Sequence, residues 1–165
     1  MKKILITGLL CFVVIISKAQ NESKDSSIDM GSKKNHYIGF NAGASTGLGL
    51  AYRYQNNKHS YQFALLPIMS ERNAFVNIGG RYAYNFKEVN KTRFFGYIGH
   101  SAGTSFYEYD DYAIRLVTGA GFGIEQDLTK NLSLNFGAGY AYYYYNFDDS
   151  KLTLTAELGL FYKFN

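Results

Sequence analysis

Five charged residues lie in segments that otherwise hold apolar and small residues: Arg53, Arg81, Arg115, Glu125 and Glu157. Each shares its parity with Gly, Ala, Asn or Thr and alternates with apolar residues, which is the period of two of a β-strand. An unpaired ion in a low-dielectric interior is costly, so such charges are expected to pair. We therefore predict a network of arginine and glutamate side chains inside the fold, with Arg81 and Glu157 as one candidate pair.

The alternation is longest in the segment 131–145, NLSLNFGAGYAYYYY. Similar segments, separated by short polar connections, predict strands near 36–44, 47–56, 60–68, 74–86, 93–106, 112–126, 131–145 and 151–164. Strand five, with FFGYIGHSAG, fits either parity, and we expect a β-bulge in it. Eight strands joined by short connections predict an all-β, eight-stranded antiparallel up-and-down β-barrel.

The start of the chain predicts export. Residues 1–19 combine a basic start, an apolar run and small residues, as a secretory signal peptide does, so the mature chain is expected to begin at Gln20. Residues 20–34 are polar and predict a flexible periplasmic tail, which leaves 35–165 for the barrel. Removing Lys2, Lys3 and Lys18 lowers the net charge from +4 to +1, so the basic pI does not indicate nucleic acid.

Two features indicate which face of the barrel points outward. The less apolar face holds mostly Gly, Ala, Ser and Asn, which suit a narrow interior better than a water-exposed surface. Aromatic residues also gather at strand ends, as in the belts at membrane interfaces. The predicted belt residues are Tyr52, Tyr54, Tyr82, Tyr84, Phe86, Tyr142, Tyr144, Tyr162 and Phe164. These features predict a transmembrane barrel; the alternative is a soluble periplasmic ligand-binding barrel with the two faces exchanged.

The last strand carries the sharpest resemblance to a known family. Glu157, Gly159, Tyr162 and Phe164 follow the spacing of a C-terminal assembly signal, although the chain ends on Asn165 rather than on the aromatic residue. With the strand pattern over 35–165, the chain resembles the small eight-stranded outer-membrane barrels of Gram-negative bacteria, such as OmpX-like proteins and the membrane domain of OmpA. No peptidoglycan-binding domain follows the barrel in this sequence.

The resemblance implies location in the cell outer membrane and recognition by the barrel assembly machinery. It also implies contact with outer-membrane lipid and lipopolysaccharide. We expect a monomer without nucleic-acid partners. With both ends of the barrel in the periplasm, the connections QNNKHS, FKEVNKT and DLTKN face the periplasm, and AST, MSERN, FYEYDD and NFDDS face outward.

Three functions are compatible with such a barrel. The interior charges could form a static filling, which gives a structural role in envelope integrity, or a gate whose re-pairing opens a narrow passive channel. Some related barrels transfer acyl chains with His, Ser and Asp. The corresponding candidates are His100, Ser101, Ser105, Asp110 and Asp111. Alternation separates His100 from its neighbours, so we expect no enzyme activity.

Other candidate sites lack the required context. His36 and His59 lie at strand ends and are expected to be interfacial. The pairs Asp110–Asp111 and Asp148–Asp149 offer too few ligands for a calcium site. GAGFG in strand six is not followed by a helix, which excludes a dinucleotide-binding turn. We therefore expect no cofactor and no metal.

Overall fold

The computed structural model describes residues 34–69, 73–107, 112–145 and 149–164, which form eight β-strands. The strands are β1 Lys34–Gly43, β2 Gly47–Asn56, β3 His59–Met69, β4 Asn73–Val89, β5 Thr92–Tyr107, β6 Tyr112–Asp127, β7 Leu132–Tyr145 and β8 Asp149–Phe164. Each strand pairs antiparallel with the next, and β1 pairs with β8, so the sheet closes. The predicted eight-stranded up-and-down barrel is confirmed.

The predicted signal peptide, 1–19, lies outside the described residues, as does the predicted tail except for Lys34, which begins β1. Within the described ranges, no helix has the length and the apolar character needed to cross a membrane.

The alternation in the sequence sorts side chains between the interior and the outer surface. In β2, Ala51 and Arg53 are buried, whereas Leu50 and Tyr52 are 57% and 44% exposed. Exposed large apolar side chains recur on the outer face of the other strands, for example Phe40 at 64% and Leu154 at 71%. The barrel therefore encloses its polar side chains and presents its apolar ones.

Two asparagines make the tight turns at the barrel end that carries the chain termini. Asn57 and Asn90 have φ of 53° and 55°, in the left-handed region that asparagine tolerates better than most residues. They lie between the register pairs Asn56–His59 and Val89–Thr92, so each connection is two residues long.

The β-bulge lies in β4 and not in strand five, where the sequence analysis placed it. The register of β4 against β5 shifts between Asn85 and Lys87, while β5 pairs with β6 from Thr92 to Phe106 without a shift. The extra residue is Phe86, which is 51% exposed. The ambiguity of strand five arose because apolar residues occupy both of its faces, and not from an irregular backbone.

The β1–β2 hairpin is shorter than the wall around it. β1 and β2 have 10 residues each, whereas β4 has 17 and β8 has 16. The pairing of β1 with β8 stops at Gly43 and Glu157, so within the described ranges residues 149–156 of β8 pair only with β7. Pro67 lies in the part of β3 beyond its last pair with β2, where a missing backbone N–H costs no hydrogen bond.

Gly121 and Gly139 allow β6 and β7 to approach closely. The two residues are register partners, and a Cβ added to Gly139 would lie 2.1 Å from the Ala120 carbonyl oxygen and 2.6 Å from Gly121 Cα. Both obstacles are backbone atoms, so a side chain could be accepted only by moving the strands apart.

We expect Gly139→Val to impair barrel closure, because the new side chain would collide with the β6 backbone, and overpacking costs about 1–3 kcal/mol or more. The measurement is the fraction of protein that runs as a folded, heat-sensitive band in an unheated SDS gel. Gly80→Val is the matched control, since the nearest atom to a Cβ there is 3.8 Å away. Equal folded fractions for the two variants would contradict the prediction.

Candidate functional site

A layer of ion pairs crosses the barrel interior near the end that carries the termini. Arg53 forms an ion pair with Glu125 through Nη1 and Oε2, and its Nη2 donates to Oε1 at 3.1 Å. Arg93 Nη2 lies 2.6 Å from Glu125 Oε1 and 2.5 Å from Asp127 Oδ1. Two guanidinium groups and two carboxylates thus neutralise one another; we call these four residues the charge layer.

Aromatic rings enclose the guanidinium of Arg53. Its Cζ lies 4.3 Å from the ring centroids of both Tyr37 and Phe161, which are themselves buried. A planar guanidinium can stack on aromatic faces while its edge donates hydrogen bonds. Ser133 accepts one of these bonds from Arg53 at 3.3 Å. The charge layer therefore fills the cross-section with packed side chains.

The predicted network is only partly the one that forms. Arg53 and Glu125 meet, but Arg93 and Asp127, which complete the layer, are absent from the predicted set. Arg93 lies on the inward parity of strand five, whose ambiguous pattern concealed it. Arg115 is exposed near the other end of β6, opposite Tyr145, and makes no ion pair with the residues that the structure describes.

The predicted pair of Arg81 with Glu157 does not form. Both side chains are buried, at 5% and 1% exposure, but Arg81 lies over the Phe95 ring, with Cζ 5.2 Å from its centroid. Tyr97 follows Phe95 along the interior, and a Cβ on Gly137 would touch both Tyr97 and Glu157. Arg81 therefore contacts an aromatic ring and forms no ion pair with Glu157, and a gate based on this pair lacks its closed contact.

The turn between β1 and β2 folds into the barrel. This turn, which we call the plug turn, comprises residues 44–46; Ser45 and Thr46 are fully buried. The turn lies at the barrel end opposite the start of β1, the end to which the strand order assigns AST, but it folds into the interior and does not project from the barrel. Gly47 and Gly49 have φ of +90° and +117°, values that let β2 bend inward and that other residues rarely adopt.

Four elements hold the plug turn by hydrogen bonds. Ser45 Oγ donates to Glu157 Oε1 at 2.6 Å, and Ser101 Oγ donates to the Ala44 carbonyl at 2.5 Å. Asn41 Nδ2 donates to Thr46 Oγ1 at 2.9 Å and to the Gly47 carbonyl at 2.6 Å. β8, β5 and β1 thus contact the turn directly. The fourth element, β4, holds its C-terminal flank, where the Leu48 backbone N–H donates to an Asn77 side-chain oxygen at 2.7 Å.

Three glycines on the opposite wall provide space for the turn. A Cβ on Gly79 would lie 2.4 Å from Gly47 Cα, and a Cβ on Gly119 would lie 2.7 Å from Ser45 Cβ. The three atoms nearest to a Cβ on Gly99 all belong to the plug turn, among them the Ser45 carbonyl oxygen at 2.7 Å and Thr46 Cγ2 at 2.8 Å. We call Gly79, Gly99 and Gly119 the glycine seat.

The predicted belt residues lie on the outer face at the two ends of the barrel. At the end with the termini, His36 contacts Tyr52, Tyr54 and Phe164, and its Nδ1 lies 2.6 Å from the Tyr52 hydroxyl. His59 makes the same kind of contact with Tyr82 at 2.8 Å and packs against Tyr84. At the same end, the Tyr162 hydroxyl accepts a hydrogen bond from Asn131, and Phe86 packs against Phe122.

At the other end of the barrel, the rings of Tyr142 and Tyr144 pack edge to face, with their centroids 4.6 Å apart.

Among the described residues, the candidates for acyl transfer do not come together. His100 is on the outer face, where its Nδ1 lies 2.7 Å from Thr118 Oγ1, whereas Ser101 points inward to the plug turn. Ser105 shares the inward parity of Ser101, and Asp110, Asp111 and Asp148 lie outside the described residues. In the part of the chain that is described, no three His, Cys, Asp or Glu side chains group as metal ligands would.

Comparison with known proteins gives similarities to solved structures at low sequence identity. No protein-family model and no curated protein matches the chain. Among solved structures, Neisserial surface protein A (NspA) is 15% identical with a TM-score of 0.46, over 79% of this chain and 92% of its own. Ail, the attachment invasion locus protein of Yersinia pestis, is 18% identical with a TM-score of 0.45, over 82% and 100%. Such values add nothing to the strand topology described above.

We expect Glu125→Gln to destabilise the barrel by about 3–5 kcal/mol, because it leaves two buried guanidinium groups with too little negative charge. The measurement is the urea midpoint of unfolding in lipid vesicles, followed by loss of the folded gel band. Glu88→Gln is the control, since Glu88 is exposed and makes no ion pair among the described residues. A midpoint equal to that of Glu88→Gln would show that the charge layer does not stabilise the fold.

Proposed function

We propose that this chain is a bacterial outer-membrane β-barrel with a structural role in the envelope, with a filled interior that does not conduct solutes across the barrel and without enzyme activity. The observation that carries the proposal is the polarity of the barrel. Arg53 and Glu157 are each 1% exposed in the interior, while Ile38, Phe40 and Leu158 are more than half exposed on the outer face.

This polarity opposes the alternative of a soluble ligand-binding barrel. A soluble barrel turns its apolar side chains inward around a ligand and its charges toward water. Here a band of exposed apolar side chains surrounds the barrel, and apolar patches of that extent favour contact with lipid.

The dimensions of the outer face suit a bilayer. β1 has 10 residues, and ten residues at about 3.3 Å each, tilted by about 40°, span about 25 Å, the height of the apolar band of such barrels. Aromatic clusters around Tyr54 and Tyr84 at one end, and around Tyr142 at the other, border this band. Tyrosine rings prefer such interfaces because one end of the ring is apolar and the other is polar.

The filled interior favours a structural role over a passive channel. The charge layer and its flanking rings occupy the cross-section near one end, and the plug turn occupies it further along. Eight strands enclose a space that side chains can fill completely. A structural role needs only a stable barrel in the membrane, and both fillings stabilise one.

We propose that the barrel assembly machinery is the partner during biogenesis. The mature protein would contact outer-membrane lipid and lipopolysaccharide. We propose that it is a monomer without nucleic-acid partners. The assembly signal would lie on β8, where Tyr162 and Phe164 are exposed on the outer face. Glu157 and Gly159 of the same segment face inward in the closed barrel. Their recognition would therefore precede closure.

The first test is the mobility of the protein in SDS gels of outer-membrane fractions, heated and unheated. We expect a folded band whose mobility changes on boiling, because a closed barrel, in which each strand pairs with two neighbours, resists SDS. Recovery of the protein in the soluble periplasm, with no shift, would contradict the proposal and favour the soluble barrel.

Single tryptophans report the lipid contact directly, because the chain has no native Trp. We expect Leu158→Trp, in the middle of the apolar band, to be quenched most by lipids brominated deep in the acyl chain. Tyr162→Trp, in the aromatic belt, should be quenched most by lipids brominated near the headgroup. Quenching that is equally weak at both positions would place the outer face in water.

A further inference from the structure

The plug turn is a separate part of the interior filling. Unlike the charge layer, whose side chains extend from the wall, it is backbone that enters the interior between two strands. Outside its own hairpin, three described hydrogen bonds hold it: Ser45 donates to Glu157, Ser101 donates to Ala44, and the flanking Leu48 N–H donates to Asn77. The turn also packs against the glycine seat. Gly47 and Gly49, with their unusual φ values, lie where such a turn would pivot.

Unpaired polar atoms lie beneath the plug turn. Gln62 and Arg81 are register partners on β3 and β4, and each is 5% exposed. Both polar atoms of the Gln62 amide and the Nε and Nη1 of Arg81 have no hydrogen-bond partner in the described protein. Buried polar groups of this kind are stabilised by water. Glu157 Oε2 is unpaired in the same way. We call the part of the interior around the side chains of Gln62, Arg81 and Glu157 the polar chamber.

The polar chamber has seals of different strength. Toward the termini, the charge layer closes it with ion pairs and with rings packed on Arg53. Toward the opposite end, the plug turn closes it with neutral serine and asparagine hydrogen bonds, apart from the bond of Ser45 to Glu157. A typical protein hydrogen bond contributes only about 0.5–1.5 kcal/mol net, because water replaces it when it breaks. Opening the plug turn also hydrates Glu157 and Arg81, which offsets part of the cost.

We propose that the plug turn is a displaceable lid over the polar chamber, and that its movement admits water and small hydrophilic molecules from the barrel end opposite the termini. The charge layer stays closed, so the chamber fills and empties through one end and does not conduct across the barrel. This inference goes beyond the proposed function and holds for either orientation of the barrel.

A cysteine in the chamber tests the proposal. Gln62→Cys removes an amide that has no protein partner, and the native cysteine, Cys11, is changed to serine in every sample. The rate of reaction with a small, charged methanethiosulfonate reagent is measured on the folded protein in detergent micelles. The expected result is slow but complete labelling of Gln62→Cys.

Two changes to the seat of the turn should accelerate labelling. Gly99→Ala adds a methyl group whose nearest neighbours are plug-turn atoms, and Ser45→Ala removes the hydrogen bond to Glu157. We expect each to raise the rate by up to about tenfold, the effect of one lost hydrogen bond. Gly96→Ala is the matched control on the same strand, since the nearest atom to its Cβ is 3.6 Å away, and it should leave the rate unchanged.

Two outcomes would overturn the lid. Rapid labelling in every variant, including the control, would mean that the chamber is open past the turn. No labelling in any variant, or equal slow rates in all, would mean that the turn does not control entry. The heat-shift gel of the same samples reports folding separately, so a loss of the barrel itself is not read as a failure of the lid. If Gly99→Ala does not fold, Ser45→Ala carries the test.

Discussion

The buried guanidinium of Arg53 is the group on which the interior depends. Eight strands enclose too little space for water to solvate an ion freely, so the charge must be neutralised by protein groups. Glu125 supplies the opposite charge, and Tyr37 and Phe161 supply flat surfaces above and below. Glu125 in turn binds Arg93, which brings Asp127 into the layer. One charge thus fixes side chains from strands on opposite sides of the barrel.

Three glycines determine how the interior is filled at the level of the plug turn. At Gly79, Gly99 and Gly119 the absence of a side chain makes room for backbone, and the plug turn enters that room. The interior is therefore filled in two ways: by long side chains near the termini and by a piece of main chain further along. Main chain brings its own donors and acceptors, which explains why Asn41, Asn77 and Ser101 face inward at this level.

Most of the fold could be predicted from the sequence because a period of two is a strong signal over ten or more residues. The predicted strands agree with the observed ones to within three residues at every end. Contacts across the interior were harder to predict. Parity places Arg81 and Glu157 on the same face, but it contains no information on their positions along the barrel axis or on the Phe95 ring that Arg81 contacts. The inward fold of AST was equally hidden, because a short polar connection between strands is normally an exposed turn.

The hydrogen bond from Ser45 to Glu157 lies next to the pairing of β1 with β8, the seam where the barrel closes. β1 and β8 pair residues from opposite ends of the barrel sequence, from His36–Phe164 to Gly43–Glu157. Contacts of such separation carry the largest loop-closure entropy cost in the barrel. The Ser45 bond joins residues 112 positions apart just past the end of this seam. This hydrogen bond therefore adds a contact inside the barrel that stabilises the pairing of β1 with β8.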